Sequence, residues 1–106
     1  MFTINGLDWN LEFVSNESNF LCRSNGSRTI GMTDSETQTI YIAEGLSSTM
    51  LRKVLVHELC HAYCVSYGVY LPIEYEEKLC DAIATYGKSI LSLSDCIIEN
   101  LNKYYQ

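Results

Sequence analysis

The sequence predicts one α+β domain, in which a small antiparallel or mixed sheet from the N-terminal half packs against three helices from the C-terminal half. Three observations carry that expectation. Apolar and polar residues alternate from Leu7 to Val14, strand and turn signals fill the chain as far as Ala43, and apolar residues then recur at helical spacing from Ser47 onward. The chain has 106 residues, enough for one domain and not two. Its 47% hydrophobic and 19% charged content calls for a packed core rather than disorder.

The elements follow in order. In Leu7–Val14, period-two alternation puts Leu7, Trp9, Leu11 and Phe13 on the core face of a strand. A second strand is expected near Phe20–Arg23, ahead of the turn signal Ser24-Asn25-Gly26-Ser27. Arg28–Thr33 and Thr37–Ala43 read as two more strands joined around Asp34-Ser35-Glu36. Ser47 or Ser48 can cap the first helix, which carries Met50, Leu51, Val54, Leu55 and Leu59 on its apolar side and stops at Gly68. Pro72 suits the first turn of a second helix reaching about Ser89. A third helix is expected from Ser92 or Ser94, with Ile97, Ile98, Leu101 and Tyr104 as its stripe. In a domain this small, that stripe and Tyr105 are expected to cap the core before they form a dimer contact. A monomer is therefore expected over a dimer.

Seven basic residues against thirteen acidic ones give a net charge of −6, and no run of Lys or Arg exists. Nucleic-acid binding and docking on an anionic membrane are thus not expected. No apolar stretch approaches the roughly 20 residues that span a bilayer. Five cysteines without a secretory signal suggest reduced thiols in a cytoplasm. Cys60, Cys64 and Cys80 read as small core residues.

The chemistry concentrates in His57-Glu58-Leu59-Cys60-His61. Residues four apart share a helix face, so His57 and His61 can aim imidazole nitrogens at one ion. Glu58, about 100° round the helix, can reach a water on that ion without displacing it. Zinc acidifies such a water, and Glu58 is placed to take its proton as general base. The chain has only two histidines. Chance puts two at this spacing in roughly 2% of arrangements, so a bland helix is the weaker reading.

The third ligand must be a carboxylate or a thiolate, because no third His exists. Glu77 is preferred, with Asp81 one turn on accepting a hydrogen bond from a ligand imidazole. Glu76 and then Glu74 are the fallbacks, although both suit a solvated first turn favoured by the helix dipole. Cys64 also falls on the histidine face and leaves a closed structural zinc site conceivable.

The pair of motifs His57-Glu58-Leu59-Cys60-His61 and Glu77-Lys78-Leu79-Cys80-Asp81 resembles the Glu-zincins. More closely, Gly31-Met32-Thr33-Asp34, Gln38–Ile42, Leu55–Ala62 and then Glu76-Glu77 with Cys80-Asp81 and Ile83-Ala84 look like the minimal ImmA/IrrE-like metallopeptidases of phages and mobile elements. That covers about half the chain. The resemblance implies a zincin-like core, an edge strand near Thr39–Ile42 for pairing with an extended peptide, and cleavage of a specific, often regulatory, protein. The chain departs from larger relatives in lacking helix-turn-helix or sensor regions. No oxyanion-stabilising residue stands at a fixed offset; Tyr63, Tyr67, Tyr70, Tyr75 and Tyr86 qualify by chemistry alone. The expected function is a zinc peptidase with a protein or peptide substrate. The alternatives are a catalytically silent, zinc-stabilised binding module and, more remotely, a metal-free helical interaction protein.

Overall fold

The computed structural model describes residues 1–105, with side chains as far as Lys103. It is an α+β arrangement of one four-stranded mixed sheet and two helices. Strands β1 (Phe2–Ile4), β2 (Leu7–Val14), β3 (Gly31–Asp34) and β4 (Thr39–Ala43) lie in the order β1-β2-β4-β3. β2 and β4 run parallel; the outer pairs are antiparallel. Helix α1 spans Ser48–Ser66 and α2 spans Ile73–Tyr105. No helix among the described residues is long and apolar enough to cross a membrane.

β1 and β2 form a hairpin across Asn5 and Gly6, whose φ values of 49° and 78° match a tight two-residue turn. The expected strand near Phe20–Arg23 is instead a short 3-10 turn, Asn19–Leu21, capped by Ser18. Only Cys22 pairs there, in an isolated bridge to Arg28. β3 starts at Gly31, three residues later than expected, and β4 at Thr39.

The central strand β4 is buried throughout, being paired on both sides and covered on both faces. Ile40 and Ile42 meet Ile4, Trp9, Val54 and Ala62 under α1, while Tyr41 and Ala43 pack with Leu21 on the opposite face. Trp9 is sealed in this core and donates from Nε1 to Ser66 Oγ at 2.8 Å. The core face expected for β2 is filled only at its centre. Leu7 and Phe13, at the strand's ends, are 36% and 53% exposed.

α1 opens on Ser47, whose side chain accepts from the Met50 amide. It closes on Gly68 in the left-handed conformation (φ 66°), with Gly68 N–H donating to Val65 O and Val69 N–H to Cys64 O. That pair of bonds is the Schellman ending. Pro72 precedes α2, and its carbonyl accepts from Tyr75 and Glu76.

A break near Ser89–Ser94 does not occur, and the second and third helices expected there are one helix of 33 residues. No Gly or Pro interrupts the stretch from Lys88 to Lys103, and Ile90, Leu91 and Leu93 carry the helical period through the serines. Nor does this half cap the core. Ile90, Leu91, Leu93, Ile97, Ile98 and Leu101 are 49–67% exposed. The Tyr104 and Tyr105 side chains lie outside the described residues.

Candidate metal centre

α1 lies between the sheet and α2, so its residues 57–61 face both. The two-layer packing is close at one point. A Cβ on Gly31 would come 2.7 Å from Val54 Cγ1 and 3.0 Å from Glu58 Cγ, so glycine lets β3 approach the motif helix.

His57 and His61 project from successive turns of α1, their Nε2 atoms 3.2 Å apart. Glu77 of α2 closes the group, one oxygen 3.2 Å from His57 Nε2 and the other 2.9 Å from His61 Nε2. These three side chains form a group that could hold a metal ion. The sequence-predicted trio is thus brought together.

Each imidazole is held from behind. Asp81 Oδ1 lies 2.8 Å from His57 Nδ1, and Glu76 Oε2 lies 2.5 Å from His61 Nδ1. A carboxylate at each Nδ1 keeps the ring proton there and leaves each Nε2 lone pair facing the shared point. Asp81 sits where the spacing put it. Glu76 does not remain a solvated first-turn residue; it supports the second histidine. Glu74 is exposed and outside the group, and Cys64 does not join it either. Cys64 and Cys80 are buried, and burial pushes both thiols above the ordinary range.

Glu58 is buried, with one oxygen 3.9 Å from His57 Nε2, adjacent to the trio rather than within it. Thr33 Oγ1 on β3 lies 2.8 Å from Glu58 Oε1 and 3.0 Å from the Glu58 carbonyl oxygen, and donates to one of them at a time. Burial pushes the Glu58 carboxyl up; the Thr33 hydroxyl and the two imidazoles pull the other way without overcoming it. Thr33 belongs to the Gly31-Met32-Thr33-Asp34 segment, but no local signal in the sequence marks this contact with Glu58.

Two cavities of about 480 and 330 Å³ meet over this group. Both are lined by Arg23, Gly31, His57, Glu58 and Glu77, so these residues mark the middle of one open cleft. Neither cavity is lined by Tyr63, Tyr67, Tyr70, Tyr75 or Tyr86, which are 52–90% exposed. Arg23, in the loop after the 3-10 turn, lines both cavities.

No family model, curated protein or solved structure matches this chain.

Proposed function

We propose that the chain is a zinc-dependent peptidase with a zincin-like site, cutting a specific protein or peptide substrate. The observation that carries this is the division of labour among the acidic residues. Glu77 faces both Nε2 atoms, Asp81 and Glu76 hold the Nδ1 atoms, and Glu58 stands beside the trio.

The donor set fits zinc. A tetrahedral ion with bonds of about 2.0–2.1 Å needs donors about 3.3 Å apart. The two Nε2 atoms are 3.2 Å apart, and each lies 2.9–3.2 Å from a Glu77 oxygen, a different oxygen in each case. Three protein donors leave one position free, which is the arrangement of catalytic rather than structural sites. Imidazole and carboxylate donors suit zinc among the common ions. When bound, zinc supplies Lewis acidity toward a peptide carbonyl and toward water.

The protein's own groups then do the proton work. Glu58 is the general base, taking the proton of the attacking water and passing it to the departing amide nitrogen. Its position suits it to this, because the carboxylate is buried beside the trio with one oxygen on the side of His57. Thr33 fixes the direction of one Glu58 oxygen so that the other faces His57. His57, His61 and Glu77 hold the ion, while Asp81 and Glu76 set the ring tautomers.

Substrate alignment needs a correction to the expected edge. Thr39–Ile42 belongs to β4, which is paired by β2 and β3 and has no free edge. The free edge beside the cleft is β3, and Gly31, Met32 and Thr33 line the larger cavity. An extended peptide adding to β3 would pass the metal group. The resemblance to ImmA/IrrE-like peptidases extends the reading to a regulatory protein as substrate. All five cysteines are free, in keeping with a reducing cytoplasm.

The zinc-loaded protein should therefore generate new peptide termini in a library of denatured cellular proteins, read by mass spectrometry. Glu58→Gln should keep its zinc and lose about 10²–10⁴-fold in rate. Equal cleavage by the variant would remove Glu58 from the chemistry. Zinc retained with no cleavage by either protein would favour the silent binding module.

A further inference from the structure

The second half of α2 presents an apolar stripe with nothing of its own chain beneath it. Every described side chain from Lys88 to Lys103 is exposed. Within and just before that stretch, Ile83, Tyr86, Ile90, Leu93, Ile97 and Leu101 follow one another at intervals of three, four, three, four and four residues. Such spacing keeps them on one side of the helix, and as far as Ile97 it is the seam pattern of a two-helix coil; Asn100 takes the next seam position, with Leu101 beside it. Lys88, Asp95 and Glu99 fall on the opposite side.

We infer that this stripe is the contact surface for a second copy of the chain, pairing α2 against α2 in a symmetric dimer. Three arguments favour that occupant. The first is area. The six stripe residues expose roughly 600 Å², the share one partner gives at the lower end of specific interfaces.

The second is composition. Isoleucine recurs at 83, 90 and 97, one heptad apart, with Leu93 at the alternate seam position, and that combination favours two strands. A stripe without charges is self-complementary, as a two-fold interface between identical surfaces requires.

The third is stability. A helical arm of 16 exposed residues is marginal in water and gains its order from packing its apolar side. An anionic lipid surface is disfavoured by the charge. The arm's two lysines are offset by Asp95 and Glu99, and the whole chain carries −6. The dimer assigns the arm a role independent of the proposed chemistry at the metal centre.

The test is the mass of the zinc-loaded full chain by sedimentation velocity, from micromolar to about 100 µM. The expected result is twice the chain mass of 12.1 kDa, with a Kd in the micromolar range or below. Ile90→Glu and, separately, Ile97→Glu should sediment as monomers at all these concentrations. Trp9, buried in the core far along the chain from the arm, should keep its wild-type fluorescence in both variants and so report an intact body. A wild-type monomer throughout the range would overturn the inference. So would a dimer that survives both substitutions, because its interface would lie elsewhere. A monomer that sediments with vesicles of equal parts phosphatidylcholine and phosphatidylglycerol would overturn it in favour of a lipid surface.

Discussion

In its first half α2 turns carboxylates toward α1, and in its second half it turns isoleucines and leucines toward solvent. Glu76, Glu77 and Asp81 stand against two imidazoles, while Ile90, Leu93, Ile97 and Leu101 lie open. Glu77 lies close enough to the buried Glu58 for the two carboxylates to repel, and a cation at the trio would offset that repulsion. An open apolar stripe of this length costs solvation unless another surface covers it. Each half of the helix thus points to something outside the chain, a metal ion for one and a second copy for the other.

The sharpest way to break this comparison is to remove the ion. At a thousand-fold excess over Kd, a bound metal stabilises the folded state by about 4 kcal/mol. For a chain of this size, chelation should then lower Tm by on the order of 15 °C. The helical circular-dichroism signal at 25 °C should survive, because Trp9, Ile40, Ile42, Val54 and Ala62 pack without the metal. Loss of that signal on chelation would give the ion a structural role and favour the silent module.

A smaller effect separates the two supporting carboxylates. Removing a group that orients a ligand imidazole weakens metal binding about 10–100-fold. The Glu76 side chain is 16% exposed and that of Asp81 is 70% exposed. Glu76→Ala should therefore lie at the upper end of that range and Asp81→Ala at the lower, measured by competition with a chromogenic chelator. Equal losses, or a larger loss at Asp81, would contradict the assignment of the buried contact as the stronger one. The smallest effect belongs to the arm. Leu93→Glu should leave zinc affinity within about twofold of wild type, since surface changes away from a site shift energies by less than about 0.5 kcal/mol. A larger change would couple the two halves of the helix.

How much of this was legible follows from how local each feature is. The His57, Glu58 and His61 geometry is set by helix spacing alone, and the Glu77–Asp81 spacing likewise puts a ligand and its support one turn apart. Glu76 was harder, because three acids in a first helical turn also suit the helix dipole. The signal was stoichiometric: two ligand imidazoles need two Nδ1 acceptors, and Asp81 serves only one. β1 was legible in Asn5-Gly6, a strong hairpin signal, although a three-residue strand offers little periodicity of its own. The strand order was not legible, since pairing between β2 and β4 is set by contacts distant in sequence. That is why the free edge moved from Thr39–Ile42 to Gly31–Asp34. Serines at 89, 92 and 94 resemble caps, yet an unbroken apolar period runs past them, and the period prevailed over the caps.

The central claim is that Glu77 completes a three-residue zinc site. Elemental mass spectrometry on the purified protein, with Glu77→Ala beside it, tests this directly. One zinc per chain in the wild type, falling to a small fraction in the variant, is the predicted result. Zinc that persists without Glu77, or a wild type that binds none under saturating zinc, would contradict it.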